Sequence, residues 1–297
     1  MKLLRYYRYF FILSLVFLVA GIISLSIFGL KLGIDFKGGT ITELVFEKSL
    51  NIDQVKTVLQ DQQIQNGQVQ SVGDKGVIIR TGDLSNEAHS KLTAELKDKF
   101  GNYEEKRFES IGPVVGKQLA RSSLYQLALV SLGIIFYIAY AFRKVTRPVS
   151  SWQFGVAAIV ALLHDLLVVL GIFSLLGHFF KVEIDSMFVT AMLTVLGFSV
   201  HDTIIVFDRI RENLRIYAGQ SMEFVINHSI SQTLVRSFNT SLTVLLVLLA
   251  LLLFGGETIK YFVLALFIGI IAGTYSSIFV ASPILAIWQN RRQKSRK

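Results

Sequence analysis

The chain has 297 residues, of which 52% are hydrophobic, and its mean hydropathy is +0.54. A composition this apolar excludes an ordinary soluble protein of this length and predicts an integral membrane protein. The chain contains no cysteine, which excludes disulfides and thiolate metal sites, and its formal net charge is +9.

The positive charge lies outside the longest polar segment of the chain. Residues 31–121 contain 13 basic and 13 acidic residues, so the excess of +9 belongs to the apolar remainder. Its basic residues form short flanks of the apolar segments: Lys2, Arg5, Arg8; Arg143, Lys144, Arg147; Arg209, Arg211, Arg215; Arg291, Arg292, Lys294, Arg296, Lys297. Such flanks are typical of the cytoplasmic side of membrane proteins. We therefore predict contact with membrane lipid and no binding of nucleic acid.

Six apolar segments are each long enough to cross about 30 Å of hydrocarbon. They cover residues 9–30, 124–142, 153–177, 186–207, 237–254 and 259–288. The first is longer than the apolar region of a signal peptide and has no small-x-small cleavage site before Lys31, so we predict an uncleaved helix. The basic flanks place both termini in the cytoplasm. The predicted domains are the N-terminus with the first helix (1–30), an outer domain (31–122), a five-helix bundle (123–290) and a basic cytoplasmic tail (291–297).

The outer segment has the pattern of a small soluble domain. Strands are predicted at 41–46, 68–72, 77–81 and 103–110, with one helix that begins after Asn51 and ends near Gly67 and another that begins after Ser85 and ends at Gly101. The order βαββαβ predicts a ferredoxin-like α+β domain, with both helices on one face of an antiparallel sheet. This fold by itself implies no function.

The fourth apolar segment carries a carboxylate, Asp202, directly after His201. At about 1.5 Å per helical residue, Asp202 lies roughly 9 Å inside the charged boundary at Asp208 and Arg209. Insertion of an aspartate near the centre of a membrane helix costs about 2.5–3.5 kcal/mol, so the group is normally paired, turned into the bundle, or used to move ions or protons. Asp202 is therefore the first candidate for function.

Two other segments carry polar side chains at membrane depth. His164 and Asp165 lie near the middle of the third segment, on the side of its small residues Ala157, Ala158 and Ala161, which predicts that this side faces protein. The fifth segment opens with a polar stripe at helical spacing: Arg236, Asn239, Thr240 and Thr243. Arg236 is at the same end as Asp202, so the two groups could be level.

These residues have a structural interpretation as well as a functional one. Asp202 and Arg236 could form a buried ion pair that only stabilises the bundle, and His164 and Asp165 could neutralise each other. Alternatively, Asp202, Arg236, His201, His164 and Asp165 form a proton relay, because their protonation responds to burial and to neighbouring charge. In the sixth segment, Gly269, Gly273, Ser276 and Ser277 form a small-residue ridge typical of close helix packing.

Motifs of the common cofactor and metal enzymes are missing from the sequence. Residues 112–118 have one residue too few for a P-loop and lack its Ser/Thr, and no HExxH occurs. Neither His-Asp pair has the spacing that places two ligands on one helical face. We predict no cofactor and no metal.

Five motifs carry a resemblance to a known family. They are Gly-Ile-Asp-Phe-Lys-Gly-Gly at 33–39, Ile-Gly-Pro-Val-Val-Gly at 111–116, His164-Asp165, the stretch 197–213 that ends in Arg-Glu-Asn, and Phe-Gly-Gly at 254–256. In these motifs, and across nearly its full length, the chain closely resembles the SecF branch of the SecD/SecF family of the RND-like superfamily.

The resemblance implies six helices that form half of a twelve-helix arrangement with SecD in the bacterial cytoplasmic membrane. It implies use of the proton-motive force to complete protein export after the ATP-driven step by SecA, with the SecYEG channel and a translocating preprotein as further partners. It also implies a proton-coupled translocation subunit that is not an enzyme. The proton-linked Asp and the Arg of the family correspond to Asp202 and Arg236. His201 is a departure, since Asn is common there.

Two other classes of function remain as alternatives. A proton-driven exporter of lipids or small molecules requires a larger outer region than one domain of about 90 residues. A structural scaffold for a channel requires no titration of Asp202 and predicts that Asn is tolerated there.

Overall fold

Six long apolar helices and one four-stranded antiparallel sheet make up the part of the chain that the computed structural model describes, residues 3–64, 67–143 and 151–294. The predicted fold class is confirmed. The predicted basic flank at 144–147 and the end of the predicted tail at 295–297 lie outside the described residues. In chain order the elements are a 3-10 turn Leu3–Tyr6, α1 Tyr7–Phe28, α2 Ile34–Lys37, β1 Gly39–Phe46, α3 Ile52–Asp61, β2 Gln68–Val72, β3 Gly76–Thr81, α4 Asn86–Phe100, β4 Tyr103–Ile111, α5 Pro113–Ala141, α6 Ser151–Phe180, α7 Ser186–Ile216, α8 Met222–Phe254, α9 Glu257–Ser276, a π-helical segment Ser277–Ala281 and α10 Ser282–Lys294.

The chain divides into two compact units. Residues 32–124 form one unit, and residues 1–31 with 125–297, where described, form the other. The first contains the sheet, in the strand order β2-β3-β1-β4 with antiparallel pairs throughout. Its core consists of side chains that are at most 2% exposed: Leu44, Phe46, Val55, Val58, Leu59, Val77, Ile79, Leu92 and Leu96.

The two helices of the outer unit begin where their capping residues predict. Asn51 Oδ1 accepts a hydrogen bond from the Asp53 N–H at 2.9 Å, and Ser85 Oγ accepts one from the Ala88 N–H at 3.3 Å. The predicted end of the first helix near Gly67 is wrong, because α3 ends at Asp61. There Gln63 adopts a positive φ of 57°, and the Ile64 N–H bonds the carbonyl of residue 59, which closes the helix early.

Two adjacent glycines connect the start of this unit to the start of α5. Gly38 and Gly39 have φ values of +81° and +136°. A Cβ on Gly38 would lie 2.8 Å from Pro113 Cα, and one on Gly39 would lie 2.7 Å from the Thr81 carbonyl oxygen. Only glycine fits both the backbone conformation and the space. The motifs at 33–39 and 111–116 therefore meet here.

The second unit is built around α6, α7 and α9. The predicted inward side of the third segment is confirmed, since Ala157, Ala158 and Ala161 are all at most 3% exposed. Small residues also bring helices close: a Cβ on Gly171 of α6 would lie 2.4 Å from Gly21 Cα of α1. The ridge of the sixth segment packs against α7, where a Cβ on Gly269 would lie 2.2 Å from Val195 Cγ2 and one on Gly273 would lie 3.0 Å from Ser199 Cβ.

Helices α7 and α8 are longer than their apolar segments. The apolar run predicted to end at 207 continues as α7 to Ile216, and the run predicted to begin at 237 is preceded by helix from Met222. Hydrogen bonds join these extensions: buried Asn213 donates to Ser229 Oγ and Gln232 Oε1, both at 2.9 Å. Hydropathy identifies only the apolar part of a helix, so it missed the polar extensions that form this hairpin.

Candidate functional site

A buried carboxylate, Asp165, connects three helices of the bundle. Asp165 is 1% exposed, and its Oδ2 accepts hydrogen bonds from Ser199 Oγ of α7 at 2.5 Å and Ser276 Oγ of α9 at 2.8 Å. Its Oδ1 lies 3.0 Å from Nδ1 of the neighbouring His164. Both oxygens therefore have partners, which is the condition for keeping a polar group in an apolar interior.

A second hydroxyl pair lies next along α7. Thr203 Oγ1 and Ser277 Oγ are 2.8 Å apart, and Ser277 also donates to the Gly273 carbonyl at 2.9 Å. Ser277 is the first residue of the π-helical segment. Residues 277–281 form π-helical rather than α-helical backbone hydrogen bonds. Directly after them, Ser282 Oγ donates to the Ser277 carbonyl at 3.0 Å. Single π turns inside long helices frequently occur at functional sites.

Asp202 lies next to this cluster, but its carboxyl lacks the hydrogen bonds that Asp165 has. The residue is 5% exposed, yet its Oδ2 has no hydrogen-bond partner among the described residues. The groups that act on its carboxyl are the Ser237 hydroxyl of α8, His201 and Asp165. The Ser237 hydroxyl is itself buried, and its Oγ, like Asp202 Oδ2, has no hydrogen-bond partner in the described part of the chain. Asp202 is thus a buried carboxyl with one free oxygen beside a second acidic group.

After Asp202 Oδ2 and Ser237 Oγ, His164 carries a third buried polar atom without a hydrogen-bond partner within the described ranges. Its Nδ1 faces Asp165, whereas its buried Nε2 has no partner among the described side chains. His164 and Tyr275, whose rings are 6.2 Å apart, line one end of an apolar cavity of about 330 Å³ between α1, α6 and α9. The Tyr275 hydroxyl donates to the Phe10 carbonyl at 2.8 Å.

The two remaining predicted site residues point out of the bundle. His201 and Arg236 are exposed on the surface of this chain. In the part of the chain that the structure describes, Arg236 forms no ion pair with Asp202. Successive residues of a helix are about 100° apart around its axis, so Ser237 rather than Arg236 turns toward Asp202. The prediction that Arg236 and Asp202 are level stays a prediction.

The prediction from sequence missed the hydroxyl groups. Ser199 and Thr203 were not singled out, although their i, i+4 spacing places them on one face of α7 beside Asp202. Ser276 and Ser277 were assigned to packing alone. The structure shows that all four are at most 2% exposed and that each hydrogen-bonds a side chain of another helix. Hydroxyl groups at helical spacing near a membrane carboxylate are the signal that identifies such a network.

Chemically, the cluster offers two carboxyls, one imidazole and several hydroxyls in an otherwise apolar bundle. Hydroxyls both donate and accept, and a carboxyl and an imidazole can gain or lose a proton, so this set of groups can hold and pass one. Among the described residues, no group of three or more His, Asp or Glu is placed to hold a metal ion.

The fold and the site together define a class: multi-pass helical membrane proteins with a small outer α+β domain and acidic residues in the bundle. The family model for the SecD/SecF protein export membrane protein, C-terminal region, matches residues 91–291, and the model for the SecD/SecF GG motif matches residues 23–49. The chain belongs to the SecD/SecF family.

Individual relatives agree with this assignment. Protein translocase subunit SecF of Thermobaculum terrenum is 52% identical over 299 residues, covering 96% of this chain and 93% of that protein. Protein translocase subunit SecDF of Bacillus subtilis is 36% identical over 97% of this chain, but the match spans only 38% of that longer protein.

Solved structures of SecDF proteins also match this chain over part of their length. The crystal structure of SecDF from Thermus thermophilus, described as a translocon-associated membrane protein, matches with a TM-score of 0.83 and 34% identity. The match covers 98% of this chain and 39% of that one. A SecDF structure in a super-membrane-facing form matches with a TM-score of 0.72 and 31% identity. The present chain therefore has the fold of one part of a SecDF chain.

Proposed function

We propose that this chain is an auxiliary subunit of the Sec protein translocase that works with SecD and uses the proton-motive force to complete protein export. The observation that carries the proposal is the buried carboxyl of Asp202, which has one oxygen without a partner and lies beside the bonded Asp165. The family assignment supports the export role, because relatives over nearly the whole chain are protein translocase subunits.

The proposed step is a change in the charge of Asp202. A buried oxygen without a hydrogen-bond partner makes the ionised form costly, and protonation removes that cost. In this proposal Arg236, which is exposed and unpaired with Asp202 in the described structure, turns toward the ionised carboxyl, and it turns to Asn239 or to water when the carboxyl is protonated. Each proton that moves down the membrane potential supplies about 2.3 kcal/mol per 100 mV, which is enough to bias a helix bundle between two arrangements.

The hydroxyl groups provide the proposed path for the proton. Asp165 lies close enough to act electrostatically on Asp202, and Ser199 bonds Asp165 directly. His164 extends the path from Asp165 toward the apolar cavity through its free Nε2. His201 adds a titratable neighbour at the surface of the bundle. In this proposal, Asp165 with its hydroxyls positions the proton and Asp202 carries it.

A second membrane protein is part of the proposal because of the polar surface of α8. Arg236, Asn239, Thr240 and Thr243 are all exposed on the isolated chain, among exposed apolar side chains such as Val235, Phe238 and Leu242. A charged or amide side chain against lipid costs several kcal/mol, so another protein is expected to cover the stripe. SecD is the proposed partner, since in SecDF relatives one chain carries both parts. We further propose SecYEG, SecA and the preprotein as partners in the bacterial cytoplasmic membrane.

The test is an Asp202→Asn variant, which keeps the size and polarity of the side chain but cannot titrate. Secretion is measured in inverted vesicles with and without an uncoupler. The variant should retain SecD and the ATP-driven stage, and should secrete like uncoupled wild type under both conditions. Asp208→Asn is the matched control: the same change six residues along α7 at an exposed carboxylate paired with Arg211 should leave the uncoupler response intact.

The opposite result has a defined meaning. If Asp202→Asn responds to the uncoupler as wild type does, Asp202 does not carry the proton, and the cluster only stabilises the bundle.

A further inference from the structure

The sheet of the outer unit has two outer strands that differ in chemistry. β2 pairs with β3 only, and β4 pairs with β1 only, so each presents one row of backbone groups to its surroundings. Among the described residues, no further strand lies beside either of them. Proteins normally protect such edges against pairing with other chains by charged side chains, proline or a β-bulge.

β4 carries this protection. Five of its nine residues are charged: Glu104, Glu105, Lys106, Arg107 and Glu109. Two ion pairs run along the strand, from Lys106 to Glu104 at 2.5 Å and from Arg107 to Glu109 at 2.7 Å. The pairing register with β1 also shifts opposite Glu43 and Leu44, which leaves Lys106 as an extra residue. A bulge of this kind twists the edge and interrupts its pairing.

β2 has none of these features. Its sequence, Gln-Val-Gln-Ser-Val, contains no charged residue and no proline, and its register with β3 is regular over all five pairs. Gln68, Gln70 and Ser71 are exposed, and Val69 and Val72 are half-buried. A regular, uncharged outer strand is the kind of edge to which an extended peptide adds by main-chain hydrogen bonds.

We propose that the free edge of β2 binds an extended segment of the polypeptide in transit, as an additional strand of the sheet. The proposal rests on the proposed function, which brings unfolded polypeptide to this domain. Main-chain pairing suits such a ligand because every polypeptide presents the same N–H and C=O groups, whatever its side chains. β2 itself contributes no charged side chain, and the Arg80 guanidinium of β3 donates to Gln70 Oε1 at 2.9 Å. Five residues of strand span about 17 Å, enough for a transient contact.

The test places a photo-crosslinking amino acid at Gln70 of the full chain, assembled in vesicles with the translocase and a preprotein that a folded C-terminal domain holds part-way across. The same amino acid at Glu104 of β4 is the matched control, since both positions are exposed on outer strands. We expect an adduct with the preprotein from Gln70 at a yield severalfold above that from Glu104. Equal yields, no adduct, or an adduct between two copies of this chain would overturn the proposal.

A second variant separates pairing from mere proximity. Ser71→Lys gives β2 the charge that protects β4 at an exposed position, and Ser71→Ala is its control because both remove the hydrogen bond from Ser71 Oγ to the Gly73 carbonyl. With the photo-crosslinker at Gln68, the lysine substitution should lower the preprotein adduct severalfold, and an unchanged yield contradicts main-chain pairing. Asp202→Asn should leave the Gln70 adduct in place. If Asp202→Asn secretes normally while the adduct forms, the proton-driven step is wrong and the strand addition stands.

Discussion

Two aspartates of the bundle differ at the residue scale in how their oxygens are bonded. Both oxygens of Asp165 face donors or the imidazole of His164, whereas Oδ2 of Asp202 faces none among the described residues. A carboxylate with three partners is stabilised in its ionised form, whereas a buried carboxylate with an unpartnered oxygen lacks part of that stabilisation. This difference supports the proposal that Asp165 positions the proton and Asp202 carries it.

The bonding of Asp165 leads to a prediction for Ser276→Ala. The substitution removes one of the two hydroxyls from Asp165 Oδ2 and should lower the free energy of unfolding by about 0.5–2 kcal/mol, the range for hydrogen bonds between membrane helices and to a charged group. Reversible unfolding in mixed detergent micelles with increasing SDS measures the change. Ser231→Ala, at an exposed position of α8, is the control and should be neutral. Equal stability of the two variants contradicts the assignment of Asp165.

At the scale of elements, glycines set how closely the helices approach. Gly171 of α6 faces the backbone of Gly21 of α1, and backbone atoms cannot move aside. Gly269 of α9 faces the side chain of Val195, which has limited freedom to adjust. The ridge of the sixth segment is therefore used inside this chain, so leucine at Gly269 or Gly273 should loosen the bundle.

The contact between α1 and α6 leads to a prediction for Gly171→Ala. The new Cβ would lie 2.4 Å from Gly21 Cα, so the helices must separate, and overpacking of this kind costs about 1–3 kcal/mol. Thermal unfolding in detergent should show a lower midpoint than for wild type. Gly155→Ala is a matched control on the same helix, because a Cβ there meets nothing within 4 Å. A Gly171→Ala midpoint equal to that control would mean that the helices adjust without cost.

On the scale of the whole molecule, the polar stripe of α8 predicts where the partner binds. Replacing Asn239 and Thr243 together by leucine makes this surface compatible with lipid and removes hydrogen-bonding groups from the proposed contact. The amount of SecD that co-purifies in mild detergent should fall severalfold. Ser26→Leu, the same kind of change at an exposed position of α1, should leave co-purification unchanged. Loss of SecD from both variants would point to a general defect.

The distribution of basic flanks predicts the orientation of the whole chain. Because the protein has no cysteine, single cysteines report their own location. Asp74→Cys and Glu87→Cys, in the outer unit, should react with a membrane-impermeant thiol reagent in intact spheroplasts. Glu212→Cys, in the charged extension of α7, should react only after the membrane is disrupted. The reverse pattern of labelling would place residues 31–122 in the cytoplasm.

Local patterns in the sequence by themselves determined the fold class, because hydropathy, alternation and capping act between residues that are close along the chain. Six apolar segments predicted six helices, Asn51 and Ser85 marked two helix starts, and β2 and α4 were predicted with their observed bounds. Asp202, His164 and Asp165 stood out because a titratable group at membrane depth is costly wherever it is placed.

The tertiary structure alone decided which of these groups meet. Ser199 and Ser276, the hydroxyl partners of Asp165, are 34 and 111 residues away in the chain, on helices whose rotation no local pattern sets. Arg236 and Ser237 are neighbours in sequence, but the packing of α8 against α7 turns the serine toward Asp202 and leaves the arginine exposed. Contacts between distant segments depend on how whole helices pack, and packing is determined by the complete set of side chains.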